Sequence, residues 1–375
     1  MLKQHKLRMR SVHFICFAIL ISQVMILLTG CKSDEVNAIQ YTKDLKAGWN
    51  LGNALEAYNC EIENPTIEDY QTYWQNPLTT KEMIDEVKAK GFQTIRIPVT
   101  WSEHMNDSGV IDEDWMNRVQ EVVDYGIDNG MNVIINAHHD DWYAPSAENK
   151  EYGLQMMATV WEQIGTKFAD YDDHLLFEGM NEPRLIGTDE EWNGGSSESR
   201  EIVNELNAAF VETIRSLGGK NKTRFLLIPT YGANSSEDAI RDMKVPKDGR
   251  LIVSIHAYIP YEFAMKYSTK SEWSATNSED MAPIDTMMEN LYSTFIQKGI
   301  PVIIGEFGAE NKGNEEARTQ WTDYYVKSAM EHDIPCFWWD NGGAEKEYAE
   351  FSLFDRFNLQ WNFDGITEAL LQQNE

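Results

Sequence analysis

The strongest constraint on this chain is a rhythm. Eight apolar runs of strand length, at residues 47–51, 92–97, 132–136, 175–179, 225–228, 251–255, 302–304 and 336–338, alternate with amphipathic stretches of helix length. The helical stretches fall at 80–90, 114–129, 154–170, 199–217, 235–243, 284–298 and 315–332. In the first of them Met83, Ile84 and Val87 make one apolar face, while Lys81, Glu82, Asp85 and Lys88 stay outside. Gly91, Gly130, Gly218 and Gly299 stand where helices should end. Eight strands separated by helices predict an α/β fold, a (β/α)8 TIM barrel in a single domain. An open doubly wound sheet would want a glycine-rich phosphate turn after the first strand, and Gly52-Asn53-Ala54-Leu55-Glu56 is not one.

The first thirty residues stand apart from this rhythm. Lys3, Lys6, Arg8 and Arg10 precede an apolar stretch at 12–28, and Leu28-Thr29-Gly30-Cys31 then resembles a bacterial lipoprotein cleavage box. Residues 1–30 are therefore expected to be a removed signal peptide, with Cys31 lipidated, 31–44 a polar tether, and 45–375 the barrel domain. No later stretch approaches a membrane span, so the expected attachment is by the lipid alone. Lys32 followed by Asp34-Glu35 points to an exported lipoprotein at the outer membrane or cell surface.

Without the four basic leader residues, 28 basic residues face 61 acidic ones, a net charge of −33. Such a surface repels nucleic acid and polyanionic substrates and leaves neutral substrates or polycations as the easier partners. Cys60 and Cys336 are too few for a disulfide framework, although one bridge stays open. No Cys/His spacing resembles a zinc site, and the adjacent His138 and His139 would point to opposite faces of a strand. No metal or cofactor is expected, a monomer is, and neither an internal repeat nor a second domain is visible.

Chemistry gathers at the strand ends, which a barrel brings to one rim. Asn50, Asn53 and Glu56 follow the first run, Arg96 ends the second and His138-His139 the third; Asn181-Glu182 follow the fourth, His256-Ala257-Tyr258 the sixth, Glu306 the seventh and Trp338-Trp339-Asp340-Asn341 the eighth. Two strand-end glutamates, Glu182 and Glu306, suit retaining glycoside cleavage, in which an acid and a nucleophile stand about 5–5.5 Å apart. An arginine keeps such a nucleophile ionised, and a histidine and a tyrosine tune the pair. Arg96 as a purely structural ion-pair partner, and His138, His139 and His256 as core or supporting histidines, stay open. Trp338 and Trp339 alternate faces, so one packs the barrel, and Trp339 is the favoured sugar platform. The longer segments at 58–79, 144–152, 184–198 and 260–282 all follow strand C-termini, with Trp74, Trp142, Trp192 and Trp273 as candidate loop aromatics.

Seven ordered motifs resemble glycoside hydrolase family 5, and within it the bacterial endoglucanase and xyloglucanase subfamily 4. They are Gly48-Trp49-Asn50-Leu51-Gly52-Asn53, Arg96-Ile97-Pro98-Val99-Thr100-Trp101, His138-His139, Asn181-Glu182-Pro183, His256-Ala257-Tyr258, Gly305-Glu306-Phe307-Gly308 and Trp338-Trp339-Asp340-Asn341-Gly342. The resemblance implies a retaining endo-β-1,4-glucanase acting on soluble cellulose, mixed-linkage β-glucan or xyloglucan. Glu182 would be the acid/base and Glu306 the nucleophile. Asn181 would hold the sugar 2-hydroxyl, Arg96 and Tyr258 would position Glu306, and Asn53, His138, His139, His256 and a strand-eight tryptophan would belong to the substrate site. Ala54-Leu55-Glu56 departs from relatives, which often carry threonine and aspartate there. A mannanase or xylanase on the same scaffold, and a non-catalytic surface glycan-binding lipoprotein, are the alternatives.

Overall fold

All eight expected strands form: β1 (Gly48–Leu51), β2 (Thr94–Ile97), β3 (Asn132–Asn136), β4 (Leu175–Glu178), β5 (Leu226–Pro229), β6 (Leu251–His256), β7 (Val302–Phe307) and β8 (Cys336–Asp340). Each pairs in parallel with the next, and β8 returns to β1 through Gly48↔Phe337 and Asn50↔Trp339, closing the barrel. The structure, a computed structural model, describes residues 37–265, 269–343 and 350–375. The expected signal peptide and Cys31 lie outside the described residues.

Helices Lys81–Lys90, Glu113–Asp128, Lys150–Lys167, Ser197–Ser216, Glu237–Asp242, Ser278–Thr294 and Glu315–Glu331 separate the strands. Gly91, Gly130, Gly218 and Gly299 all take positive φ at or just past helix ends, where a side chain would be strained. Helix Ser278–Thr294 begins earlier than the sequence pattern suggests. Asn277 caps its first turn through the Glu279 amide, and Pro283 is accommodated inside the helix.

Strand alternation divides the apolar residues into two sets. Trp49, Ile95, Val133, Phe177, Leu226, Val253, Ile304 and Trp338 face outward into the main core under the helices. Ile134, Leu176, Leu227, Ile252, Ile303 and Phe337 form a second, inner cluster with Leu45 and Phe225. At Gly48 a Cβ would lie 1.9 Å from the Phe337 ring, so the inner floor requires glycine there.

The floor is sealed by a helix the sequence reading did not anticipate. Ala38–Lys43 stacks Tyr41 on Phe225, with ring centroids 3.7 Å apart, and the Tyr41 hydroxyl donates to the Asp173 carbonyl at 2.5 Å. Residues 38–44 are therefore part of the domain, correcting the tether expected to reach 44. The polar composition concealed this because the residue the helix buries fully is Thr42, with Tyr41 partly buried beside it. Cys60 and Cys336 are both free, so the open possibility of a bridge is not realised. No helix among the described residues is long and apolar enough to cross a membrane.

Candidate active site

Above the apolar floor, the same inward stripe of each strand turns polar. Asn50 on β1, Arg96 on β2, Asn136 on β3, Glu178 on β4 and Ser254 on β6 are all wholly buried. Arg96 is the hub of this layer. Its Nη1 donates to Asn50 Oδ1 at 2.9 Å and to Glu306 Oε1 at 2.7 Å, its Nη2 to Asn181 Oδ1 at 2.7 Å, and its Nε to Glu178 Oε2 at 2.8 Å. Burial works against a charged guanidinium, but the carboxylates of Glu178 and Glu306 outweigh it and hold Arg96 more firmly protonated.

Glu306 enters the pocket through an irregularity in β7. Ile303 faces inward and Ile304 outward, so strict alternation would send Glu306 outward. The β6–β7 register instead shifts after Ile255↔Ile304, making His256 the partner of Glu306, with a second shift on the β8 side. A bulge of this kind re-aims a side chain. Gly305 allows it, since a Cβ there would lie 2.8 Å from Ser254 Oγ. Phe307 then stacks outward on Tyr325, and the Tyr258 hydroxyl donates to Glu306 Oε2 at 2.9 Å. Burial, then the charges of Glu306 and Glu182, push the Tyr258 phenol well above its usual range, so it stays a donor.

Glu182 follows β4. Its Oε1 bonds His256 Nδ1 at 2.8 Å, and its Oε2 accepts from Arg184 Nη1 at 3.1 Å. Burial pushes this carboxyl up, but the hydrogen bond with His256 and the nearby positive charges outweigh it, and the net displacement is downward. His256 Nδ1 also stands 3.6 Å from Glu306 Oε1. Ligand-type atoms of Glu182, His256 and Glu306 all lie within 4.8 Å of one another. These atoms could approach a metal, but Arg96 and the Glu182–His256 bond already balance the same charges.

The remaining expected residues occupy the rim around this pair. His138 Nδ1 meets Asn136 Nδ2 at 3.1 Å, which assigns its ring proton to Nε2, and its ring lies parallel to Trp339 at 5.9 Å. Burial, with neighbouring positive groups, holds His138 neutral, and burial brings His139 down to about 4. His139 sits edge-on to His138 and beside Tyr58 and Trp74. Asn53 adopts a left-handed turn, with its amide on Glu56 and its carbonyl on Asn76. Glu56 is wholly buried in that turn, and burial raises its carboxyl to about 7.

Two groups of tryptophans part company here. Trp338 is wholly buried on the outer face, with its indole N–H on the Phe351 carbonyl, so it packs the barrel and does not reach the groove. That corrects its inclusion among the substrate residues, and Trp339, half-buried on the inner stripe, is the one available. Trp142 and Trp273 are likewise buried, whereas Trp192 is 57% exposed with the Arg184 guanidinium 4.2 Å from its ring.

The family model for cellulase (glycosyl hydrolase family 5) matches residues 55–345. The chain belongs to glycosyl hydrolase family 5. Endoglucanase A of Ruminococcus albus is 42% identical over 345 residues, covering 90% of this chain and 93% of that protein. Endoglucanase A of Clostridium longisporum is 45% identical over 339 residues, covering 90% of this chain. The chain spans 66% of that protein and 40% of a matching cellulase/esterase of Acetivibrio thermocellus, both of which are longer. Among solved structures, a GH5-4 broad specificity endoglucanase from Ruminococcus champanellensis with bound cellotriose superposes with a TM-score of 0.86 at 43% identity, covering 90% of this chain and 99% of that one.

Within this family-5 barrel, sequence reasoning missed three members of the polar layer, Asn136, Glu178 and Ser254, and the loop residue Arg184. The first three had a signal. Each is a polar residue in phase with the inward apolar positions of its strand, as Glu178 is with Leu176. Arg184 had none, because its contact with Glu182 depends on the loop after β4.

Proposed function

We propose that this chain is a retaining endo-β-1,4-glucanase that cleaves neutral β-glucan chains by double displacement. The observation that carries the reading is the Glu182–Glu306 pair. One oxygen of each carboxylate lies within 4.8 Å of one of the other, close to the about 5–5.5 Å of a retaining pair and short of the about 6.5–9.5 Å of an inverting one. In the first step Glu306 attacks the anomeric carbon while Glu182 protonates the departing glycosidic oxygen, giving a glycosyl ester. The 2.8 Å bond between Glu182 Oε1 and His256 Nδ1 gives the acid a partner for proton exchange. In the second step Glu182 takes a proton from water, which attacks the ester and restores Glu306.

The supporting residues divide by oxygen. Arg96 and Tyr258 each fix one oxygen of Glu306 and so aim the carboxylate. Asn181 is fixed through its Oδ1 by Arg96, which leaves its Nδ2 as the donor toward the sugar 2-hydroxyl. His138 and Trp339 present parallel faces suited to a pyranose ring, with His139 and Asn53 farther along the rim. Relatives described as broad specificity endoglucanase, as lichenase with cellotetraose, and as bound to cellotriose support a glucose-backboned substrate. Xyloglucan is retained as a branched candidate.

The test is reducing-end release from carboxymethyl cellulose, lichenan, xyloglucan, mannan and xylan. Hydrolysis of the glucans that disappears in both Glu182→Gln and Glu306→Gln is expected. Wild-type rates in either variant would overturn the reading, binding without release would favour a glycan-binding protein, and preference for mannan or xylan would redirect the substrate. We also propose, from the leader and cleavage box, an exported lipoprotein anchored through Cys31 on a membrane surface and acting as a monomer. Metabolic labelling with a palmitate analogue should be lost in Cys31→Ala, and labelling that persists would refute the anchor.

A further inference from the structure

We propose that Glu178 is a positioning residue that holds Arg96 in charge balance during the interval when Glu306 has lost its negative charge. The inference rests on the retaining glucanase reading above. Glu178 is wholly buried one layer beneath the reacting pair, too deep to touch a sugar. Every group around it holds its carboxylate in place. Its Oε2 accepts from Arg96 Nε at 2.8 Å, lies 2.6 Å from Arg96 Nη2, and accepts from Asn136 Nδ2 at 2.9 Å. Its Oε1 accepts from Ser254 Oγ at 2.6 Å. Four strands thus supply Glu178 and its partners, and Arg96, Asn136 and Ser254 all converge on its carboxylate.

The charges explain why a second carboxylate belongs there. Before reaction, Arg96 is shared between Glu178 and Glu306, and the proton for the leaving group belongs to the hydrogen-bonded Glu182–His256 pair. When the Glu306 oxygen bonds the anomeric carbon and the glycosidic bond breaks, that proton passes to the leaving oxygen. Glu306 becomes a neutral ester and Glu182 an anion. The total charge is unchanged, but the negative charge has moved from a residue that touches Arg96 to one for which no Arg96 contact is seen. Without Glu178, Arg96 would then be a buried cation with only the amide oxygens of Asn50 and Asn181 as partners, and an uncompensated buried charge is strongly unfavourable. In the free enzyme the same loss would leave Glu306 as the sole counterion of Arg96, damping its nucleophilicity. Both effects raise the barrier to ester formation, and neither opposes ester hydrolysis, which restores the Arg96–Glu306 pair.

The test separates those two steps. With 2,4-dinitrophenyl β-cellobioside the leaving group needs no acid, so wild type should give a burst of dinitrophenolate followed by slower turnover. Glu178→Gln keeps the shape and can still bond Ser254 and Asn136, but removes the charge. Its kcat/KM should fall about 100-fold, on the scale of a broken buried ion pair, kcat should fall less, and the burst should vanish. Glu178→Asp, which keeps the charge, should restore the burst and part of kcat/KM. Unchanged kinetics in Glu178→Gln overturn the inference, as does an equal loss of kcat and kcat/KM with the burst reduced in proportion, which is the signature of misfolded enzyme. If Glu178→Gln does not fold, Ser254→Ala provides the second arm. Loss of one hydrogen bond to a charged group should lower kcat/KM about 10-fold with the burst retained, and no change there also overturns the inference. Absence of any turnover by wild type would refute the glucanase reading itself, whereas wild-type turnover with unaltered Glu178→Gln kinetics refutes this inference alone.

Discussion

The two ends of the barrel interior are built from the same strands and differ in almost everything else. At the floor, Ile134, Leu176, Leu227, Ile252, Ile303 and Phe337 pack against Leu45 under the Tyr41 lid. Two residues farther along several of these strands, the inward positions become Asn136, Glu178 and Ser254, joined by Arg96 and the Glu306 that the bulge turns inward. A rise of about 6–7 Å per two residues therefore separates a layer that holds the fold from a layer that holds charges. Stability and chemistry are thus assigned to different rungs of the same ladder. The floor is mostly apolar, with the Thr94 hydroxyl bonded to the Leu45 carbonyl, while the upper layer is built from polar side chains that bond one another.

Four measurements would break or sharpen this division. Glu306→Gln should lower kcat/KM on a β-glucan by on the order of 10^4-fold or more while leaving the unfolding midpoint within error of wild type. A large stability loss would mean that the upper layer also holds the fold. Leu176→Ala is the converse. It should cost about 3 kcal/mol in urea unfolding as a floor cavity opens, with kcat of the folded fraction unchanged.

The third measurement uses pH. His139 has its folded value lowered to about 4 from an ordinary value near 6.5, so the unfolded chain binds more protons between those limits. Its contribution is fully present above pH 6.5 and is lost as pH falls toward 4. Its partial exposure limits the effect to about 2 kcal/mol. Unfolding at pH 6.5 and 4.5 should therefore differ less in His139→Gln than in wild type, whereas Leu176→Ala should shift both midpoints equally. An equal acid loss in His139→Gln would place the acid sensitivity elsewhere.

The smallest effect is expected from Tyr258→Phe, which removes one hydrogen bond to a charged oxygen of Glu306. Its kcat/KM should fall about 10-fold with no change in the unfolding midpoint. A loss as large as that of Glu306→Gln would show that Tyr258 does more than orient the nucleophile.

Most of the scaffold was legible because local sequence periods report it. The strands at 132–136 and 251–255 are apolar over strand length, Gly91 and Gly299 mark helix ends, and both reach the structure almost unmoved. Glu182 and Glu306 were also legible, as carboxylates directly after apolar runs. What failed was local in appearance and tertiary in cause. Residues 38–44 look like a polar tether, yet Tyr41 finds a stacking partner on Phe225, which lies far along the chain. Glu178 looks like the tail of a strand until Arg96 is known to lie on the same inward stripe.

The amino-acid order by itself determined the eight strands, the helices between them, and the carboxylates, histidines and tryptophans at the strand ends, because these follow from hydrophobic period and from turn and cap chemistry within a few residues. Only the tertiary structure decided which way the ends point. Closure of β8 on β1 puts Trp339 on the inner stripe and Trp338 under the helices, and the register shift beside Gly305 turns Glu306 from the outer face onto Arg96. Such contacts join residues 82 to 210 positions apart, as Arg96 does with Glu178 and Glu306, and no local pattern encodes a distance that exists only after the barrel closes.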